Sequence, residues 1–189
     1  ITPAQERTES VGIIGAGPGG LAAADRLRRA GIQVTVYDRY DRAGGLLTYG
    51  IPGFKLEKDI VMRRNKQLED SGVVFKMNCQ VGVNISFADI RAAHDAVVIA
   101  TGVYKTRDLQ GPGSSADGIV NAIDYLTASN KLSLGDAVPE VESGALAARG
   151  EIAPICRGRN VKRRMPKKKA WCLNGWLHPR GSLANRFRV

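Results

Sequence analysis

Between residues 11 and 38 the hydrophobic positions change their period three times. Val11 to Ile14 form an apolar run suited to a strand buried on both faces. A glycine-rich break follows, after which Leu21, Ala24 and Leu27 recur at helical spacing. Ile32 to Tyr37 then alternate and β-branch, as a second strand does. Pro18 falls where a first-turn proline is tolerated, and Gly31 supplies a left-handed stop. The pattern predicts strand, glycine turn, helix and strand, a right-handed βαβ unit.

The alternation continues downstream. Residues 57–72 predict a helix that buries Ile60, Val61 and Leu68, followed by short strands at 73–77 and 81–83. Ser86 is placed to cap a brief helix through Ala93. Asp95 leads a wholly apolar run, Ala96 to Ala100, that ends in Thr101 and Gly102, which predicts a central parallel strand with an abrupt C-terminal turn. Residues 121–131 read as an amphipathic helix, with Ile119, Ile123 and Leu126 spaced for one face. The fold class is therefore α/β, a Rossmann-like domain on a parallel sheet.

The glycines of "GAGPGG" have separate tasks in such a unit. Gly15 permits the tight turn, Gly17 lets a pyrophosphate approach bare backbone, and Gly20 lets the helix pack on the strand. The helix N-terminus then offers unpaired amides and a positive dipole end to an anion. Asp38 ends the second strand, where a carboxylate can accept from both hydroxyls of a ribose. These features together predict dinucleotide binding. The stretch "DRAGGLLTYGIPGFKL" at 41–56 holds four glycines and one proline, and predicts a loop of bare backbone leaving the second strand.

Charge alters the picture only when it is located. The formal net charge is +10, yet residues 152–189 carry 11 of the 28 Lys+Arg and none of the 18 Asp+Glu, which leaves 17 against 18 in the rest. The basicity belongs to the last segment. No apolar window approaches the length of a membrane span, and the polar start resembles no signal peptide. Cys79, Cys156 and Cys172 are too few and too scattered for a disulfide framework, and no CxxC pair points to a metal. A reducing, cytoplasmic setting is expected. The absence of an initiator Met predicts a fragment or a processed chain.

Three signals in fixed order, "GAGPGG" at 15–20, "GGLLTYGIPGFKL" at 44–56 and "ATG" at 100–102, resemble those of the small (β) subunit of NADPH-dependent glutamate synthase and its flavoprotein relatives. Those relatives include NADPH:ferredoxin oxidoreductase subunits and the electron-input domain of dihydropyrimidine dehydrogenase. The resemblance covers residues 8–150. It implies a two-dinucleotide flavoprotein with FAD in this half: a linker at 1–10, the N-terminal part of the FAD-binding domain at 11–150 and a non-family tail at 151–189. Gly15, Ala16, Gly17, Pro18, Gly19 and Gly20 would hold the pyrophosphate, Asp38 the adenosine ribose, and Arg39 would also contact the cofactor. Gly45 and Leu46 would lie along the flavin, and Lys55 would reach a phosphate or ribitol oxygen. Val81 would touch adenine through its backbone, while Ala100, Thr101 and Gly102 would close the pyrophosphate side.

Two departures are visible, Gly19 where the family commonly has Ala and Asp38 where it often has Glu. Flavin chemistry asks little of side chains, so no catalytic residue is expected. His94 and His178 are read as packing or surface, Tyr49 as a stacking neighbour of the flavin and Cys79 as a small core residue. The resemblance further implies NADPH, iron–sulfur clusters and a large (α) subunit partner in the full-length enzyme, which makes glutamate from glutamine and 2-oxoglutarate. The second GxGxxG of the relatives does not follow residue 150, so this chain alone is expected to be inactive. Its basic tail, with Lys167, Lys168, Lys169, Trp171 and Trp176, reads as a frameshifted or truncated frame, a nucleic-acid arm or a docking segment for another subunit.

Overall fold

In a computed structural model, residue 3, residues 5–104 and residues 120–139 are described. The tail at 151–189, Ile119 and the end of the predicted domain at 150 lie outside them. The elements are β1 (Ser10–Ile14), α1 (Pro18–Arg29), β2 (Gln33–Tyr37), α2 (Leu46–Tyr49), α3 (Lys58–Asp70), β3 (Val74–Lys76), α4 (Phe87–Ala93), β4 (Ala96–Ile99) and α5 (Ala122–Ser133).

The four strands form a sheet of order β3-β2-β1-β4, and every pairing is parallel. Val11 stands beside Val34 on one side and Ala96 on the other. The period of two then sorts β1 between two layers. Val11 and Ile13 meet Leu21 and Ala24 of α1 and Leu68 of α3, while Ile14 faces the other way, toward Tyr37 and Ile90 of α4. Ile13, Ala24, Val36 and Leu68 are fully buried.

The sequence predicts the starts of α1 and α4, and the structure adds a side-chain cap on α5. Pro18 opens α1, Ser86 Oγ accepts from the Asp89 amide at 3.0 Å to start α4, and Asn121 Oδ1 accepts from the Ile123 amide at 2.9 Å to start α5. Gly31 follows α1 at φ +86°.

Four expectations are corrected. Residues 81–83 form a turn closed by a bridge from Val81 to Ile85, because Gly82 takes φ +88° and reverses the chain. Residues 46–49 curl into the short helix α2, so the glycine-rich stretch is not loop throughout. Ile60 is 45% exposed on α3, since its neighbours in the helix, Val61 and Leu68, take the inward face. Strand β4 is an edge rather than a central strand among the described residues, and Ile99 there is 67% exposed.

Candidate functional site

A cleft of about 590 Å³ opens where β1, β2 and β4 end at the same edge of the sheet. Parallel strands deliver their following loops to one side, so Gly15 meets Asp38, 23 residues on, and Ala100, 85 residues on. Its walls are the Gly15–Gly19 turn, the end of β2 from Tyr37 to Tyr40, Cys79 to Val81, Ala100 to Tyr104, and Leu46 from the glycine-rich stretch.

Glycine is required in this turn for two different reasons. Gly15 sits at φ +109°, and a Cβ on it would stand 2.4 Å from the Ala100 carbonyl oxygen. A Cβ on Gly20 would stand 1.9 Å from the Gly15 carbonyl oxygen, so bare backbone sets the distance between α1 and the turn. Gly17 and Gly19 differ, because a Cβ on either meets no atom within 4 Å. The space beside Gly17 is the cleft itself, where α1 presents the amides that have no intrahelical acceptor. Gly19 lies in the first turn of α1 at negative φ, so Gly19→Ala is expected to raise stability by about 1 kcal/mol. Chemical denaturation of both chains measures it.

Asp38 is bound to the backbone on both of its oxygens. Oδ2 accepts from the Ala16 amide at 2.6 Å, and Oδ1 accepts from the Tyr40 amide at 2.9 Å. Each oxygen keeps a second lone pair for a further donor. Ala16 itself is fully buried and its contribution to the site is that amide. Arg39 lines the cleft next to Asp38, its guanidinium 4.4 Å from the Tyr104 ring centre and 4.9 Å from that of Tyr40.

The middle motif abuts the Gly15–Gly20 turn. Gly45, at φ +52°, would place a Cβ 2.8 Å from Gly17 Cα, and the Gly44 amide donates to the Ala16 carbonyl at 2.8 Å. Leu46 reaches the cleft, whereas Lys55 does not line it. The turn that follows α2 carries Lys55 to the exposed surface, where its amide donates to Pro52 O at 2.9 Å. Lys58 is the inward lysine instead: its Nζ donates to Leu47 O at 3.0 Å and to Ile51 O. Burial holds its pKa below the usual lysine value.

Tyr49 is corrected likewise. It is 1% exposed, donates its hydroxyl to Asp41, packs against Tyr40 and does not line the cleft. Burial, with the Asp41 charge beside it, raises its pKa. The Tyr49 carbonyl accepts from Asn130 of α5 at 2.9 Å, and Arg42 grips Asp136 with two bonds of 2.6 and 2.7 Å. These contacts fasten α5 behind the motif.

Tyr40, Gln80, Val103 and Tyr104 also line the cleft, and sequence reasoning missed them. Tyr40 and Tyr104 stand two residues beyond positions it did identify, Asp38 and Gly102, so their place at strand ends was the available signal. Cys79 is half-buried: it packs against the core cluster of Ile14, Tyr37 and Ile90, as expected, and also forms part of the cleft wall. Among the described residues no group of His, Cys, Asp and Glu could hold a metal, and no helix is long and apolar enough to cross a membrane.

His94 packs under the sheet, as expected. Its Nε2 is 2.9 Å from the Tyr37 hydroxyl, and Gly12 leaves it room, since a Cβ there would come within 2.6 Å of the ring. Burial, reinforced by the Lys76 charge, lowers its pKa from the ordinary 6.5. The unfolded chain therefore takes up this proton first as pH falls, and stability declines below about pH 6.5. Urea midpoints should fall less for His94→Gln than for the parent between about pH 7 and pH 5.

Comparison with known proteins agrees with this architecture. A family profile described as an NAD(P)-binding Rossmann-like domain matches residues 13–88. The glutamate synthase (NADPH) small chain of Azospirillum brasilense is 57% identical over 157 residues, covering 83% of this chain and 33% of that one. A Cereibacter sphaeroides protein provisionally named as the same small chain is 67% identical over 156 residues, covering 82% and 37%. Among solved structures, Mycobacterium tuberculosis FprA in complex with NADPH matches with a TM-score of 0.59 and 26% identity, covering 66% of this chain and 29% of that one. The chain spans about a third of the length of these curated relatives. Over more than four-fifths of its residues, the chain is a homologue of part of the glutamate synthase small chains.

Proposed function

We propose that the cleft binds FAD and that residues 11–150 are part of the FAD-binding domain of a glutamate synthase small subunit. The observation that carries this reading is the meeting of three motifs, Gly15–Gly20, Gly45–Leu46 and Ala100–Gly102, at one cleft beside Asp38. The residues present fit such a group. A volume of about 590 Å³ lies within the range of cofactor sites, and the open space at Gly17 faces the N-terminus of α1, where a pyrophosphate would be held.

Asp38 favours FAD over NADPH at this cleft. Its carboxylate suits a ribose with free hydroxyls and repels the 2′-phosphate of NADPH. Thr101 and Gly102 would border the pyrophosphate, Leu46 the flavin, and Val81 the adenine. Bound flavin supplies hydride acceptance and one-electron release, so the protein's own work is to hold the cofactor extended and keep its phosphates on α1.

In the whole protein, electrons would pass from NADPH through FAD and iron–sulfur centres to a large subunit that makes L-glutamate from glutamine and 2-oxoglutarate. The similarity to FprA favours an NADPH:ferredoxin-type reductase as the second reading, at 26% identity against 57% for the glutamate synthase small chain. The test is the absorbance spectrum of the purified chain with FAD, before and after NADPH. A bound flavin spectrum that does not bleach is expected for a chain lacking the second GxGxxG. Absence of bound flavin overturns the FAD assignment, and bleaching overturns the assignment of NADPH to a separate domain.

A further inference from the structure

We propose that Asn130 of α5, which does not line the cleft, is the positioning residue of its flavin side: it ties down the C-terminal end of α2 and so holds Leu46, the residue of that helix that reaches the cleft. The proposal rests on the reading of the cleft as a FAD site and deepens it. It separates what holds the flavin half of the cofactor from what holds the adenosine half.

A helix of four residues does not support itself. α2 is a single turn, well short of the length at which a helix is stable alone in water, and its last carbonyls need acceptor partners from outside the helix. Its N-terminal end is held by the glycine turn, through the Gly44 amide on Ala16 O at 2.8 Å. Its C-terminal end is held by side chains of two other helices. Lys58 of α3 donates to Leu47 O at 3.0 Å, and Asn130 Nδ2 donates to Tyr49 O at 2.9 Å.

Asn130 is itself firmly set. It is 3% exposed, and its Nδ2 also donates to Leu126 O of its own helix at 2.9 Å, which fixes the plane of the amide. Arg42 grips Asp136 beyond the end of α5, so the helix that carries Asn130 is anchored to the glycine-rich stretch at a second point. The Tyr49 hydroxyl has its own anchor at Asp41, so loss of the Asn130 bond falls on the backbone of α2. The consequence reaches Leu46 through Gly50. The Gly50 amide donates to Leu46 O at 2.9 Å, and a Cβ on Gly50 would stand 2.9 Å from Leu46 Cδ2, so the Leu46 side chain lies against the residue that follows Tyr49. A shift at the Tyr49 carbonyl therefore moves the surface on which Leu46 rests.

Isothermal titration of the full chain with FAD, and with ADP, which lacks the flavin, tests this. The parent is expected to bind both. Asn130→Ala should weaken FAD about tenfold, the scale of one buried hydrogen bond, and leave ADP within about twofold. Asn130→Ser can keep a bond to Leu126 O, as Ser133 does to Ser129 O at 2.9 Å, but is too short to reach Tyr49 O as well, and should match Asn130→Ala. Leu46→Ala should likewise weaken FAD and spare ADP. The double variant Leu46→Ala/Asn130→Ala should lose no more than the larger single loss, because both changes act at one point of contact. Undiminished FAD binding by the Asn130 variants, an equal loss of ADP in both of them, or additive losses in the double variant overturns the proposal and leaves the FAD reading standing. A parent that does not bind FAD sinks both, whether or not it binds ADP.

Discussion

Gly15→Ala is expected to lower the free energy of unfolding by about 3 kcal/mol, the sum of a left-handed backbone cost and a steric one. At φ +109° an L side chain is strained, and the new methyl would stand 2.4 Å from Ala100 O and 2.7 Å from Ala100 C. Neither atom can yield without moving the end of β4, because the Ala100 amide donates to Ile14 O at 2.8 Å. The displaced strand end forms the cleft wall, so flavin retention should fall with stability. Gly82→Ala is the control. It has φ +88° with no atom within 4 Å, so it carries the backbone cost alone. Urea denaturation of the three chains reads both values, and equal losses at Gly15 and Gly82 would refute the steric argument.

Asp38→Ala is expected to cost about 2 kcal/mol in stability and to weaken nucleotide binding at least tenfold. The carboxylate accepts from two backbone amides, one in the glycine turn and one at the exit of β2. Its removal leaves both amides without that acceptor, and the turn loses its tie to β2. Asp38→Asn should retain part of the stability, because one amide oxygen still accepts while the NH₂ faces a second donor. Denaturation midpoints and ADP titration separate the two consequences. Unchanged stability in Asp38→Ala would show that the ties seen here contribute nothing.

These two residues show how the candidate site divides between sequence and structure. Asp38 was legible as a carboxylate at the end of β2 from its distance after Gly15, but its bonds to the Ala16 and Tyr40 amides were not, because they depend on how the turn folds back over β2. Lys55 was carried over by position and lies outside the cleft, while Lys58, three residues on, turns inward to the Leu47 and Ile51 carbonyls. The short helix α2 decides between them, and four residues of helix leave too little periodicity to read. Tyr49 was misplaced for the same reason.

What the sequence determined by itself is the βαβ frame and its glycine turn. Strand period, helix period, first-turn proline and obligatory glycines are all local, so the residues that encode them sit within a few positions of the structure they produce. The order of the motifs along the chain also placed Gly15, Asp38 and Ala100 at strand ends. Only the tertiary structure decided which side chains face one another across those ends: Arg39 against Tyr104, Asp38 against Ala16, and Asn130 and Asp136 behind the middle motif. It also decided that β4 lies at an edge of the described sheet. Such pairings join residues tens of positions apart, and the parallel sheet creates them by bringing distant strand ends to one side.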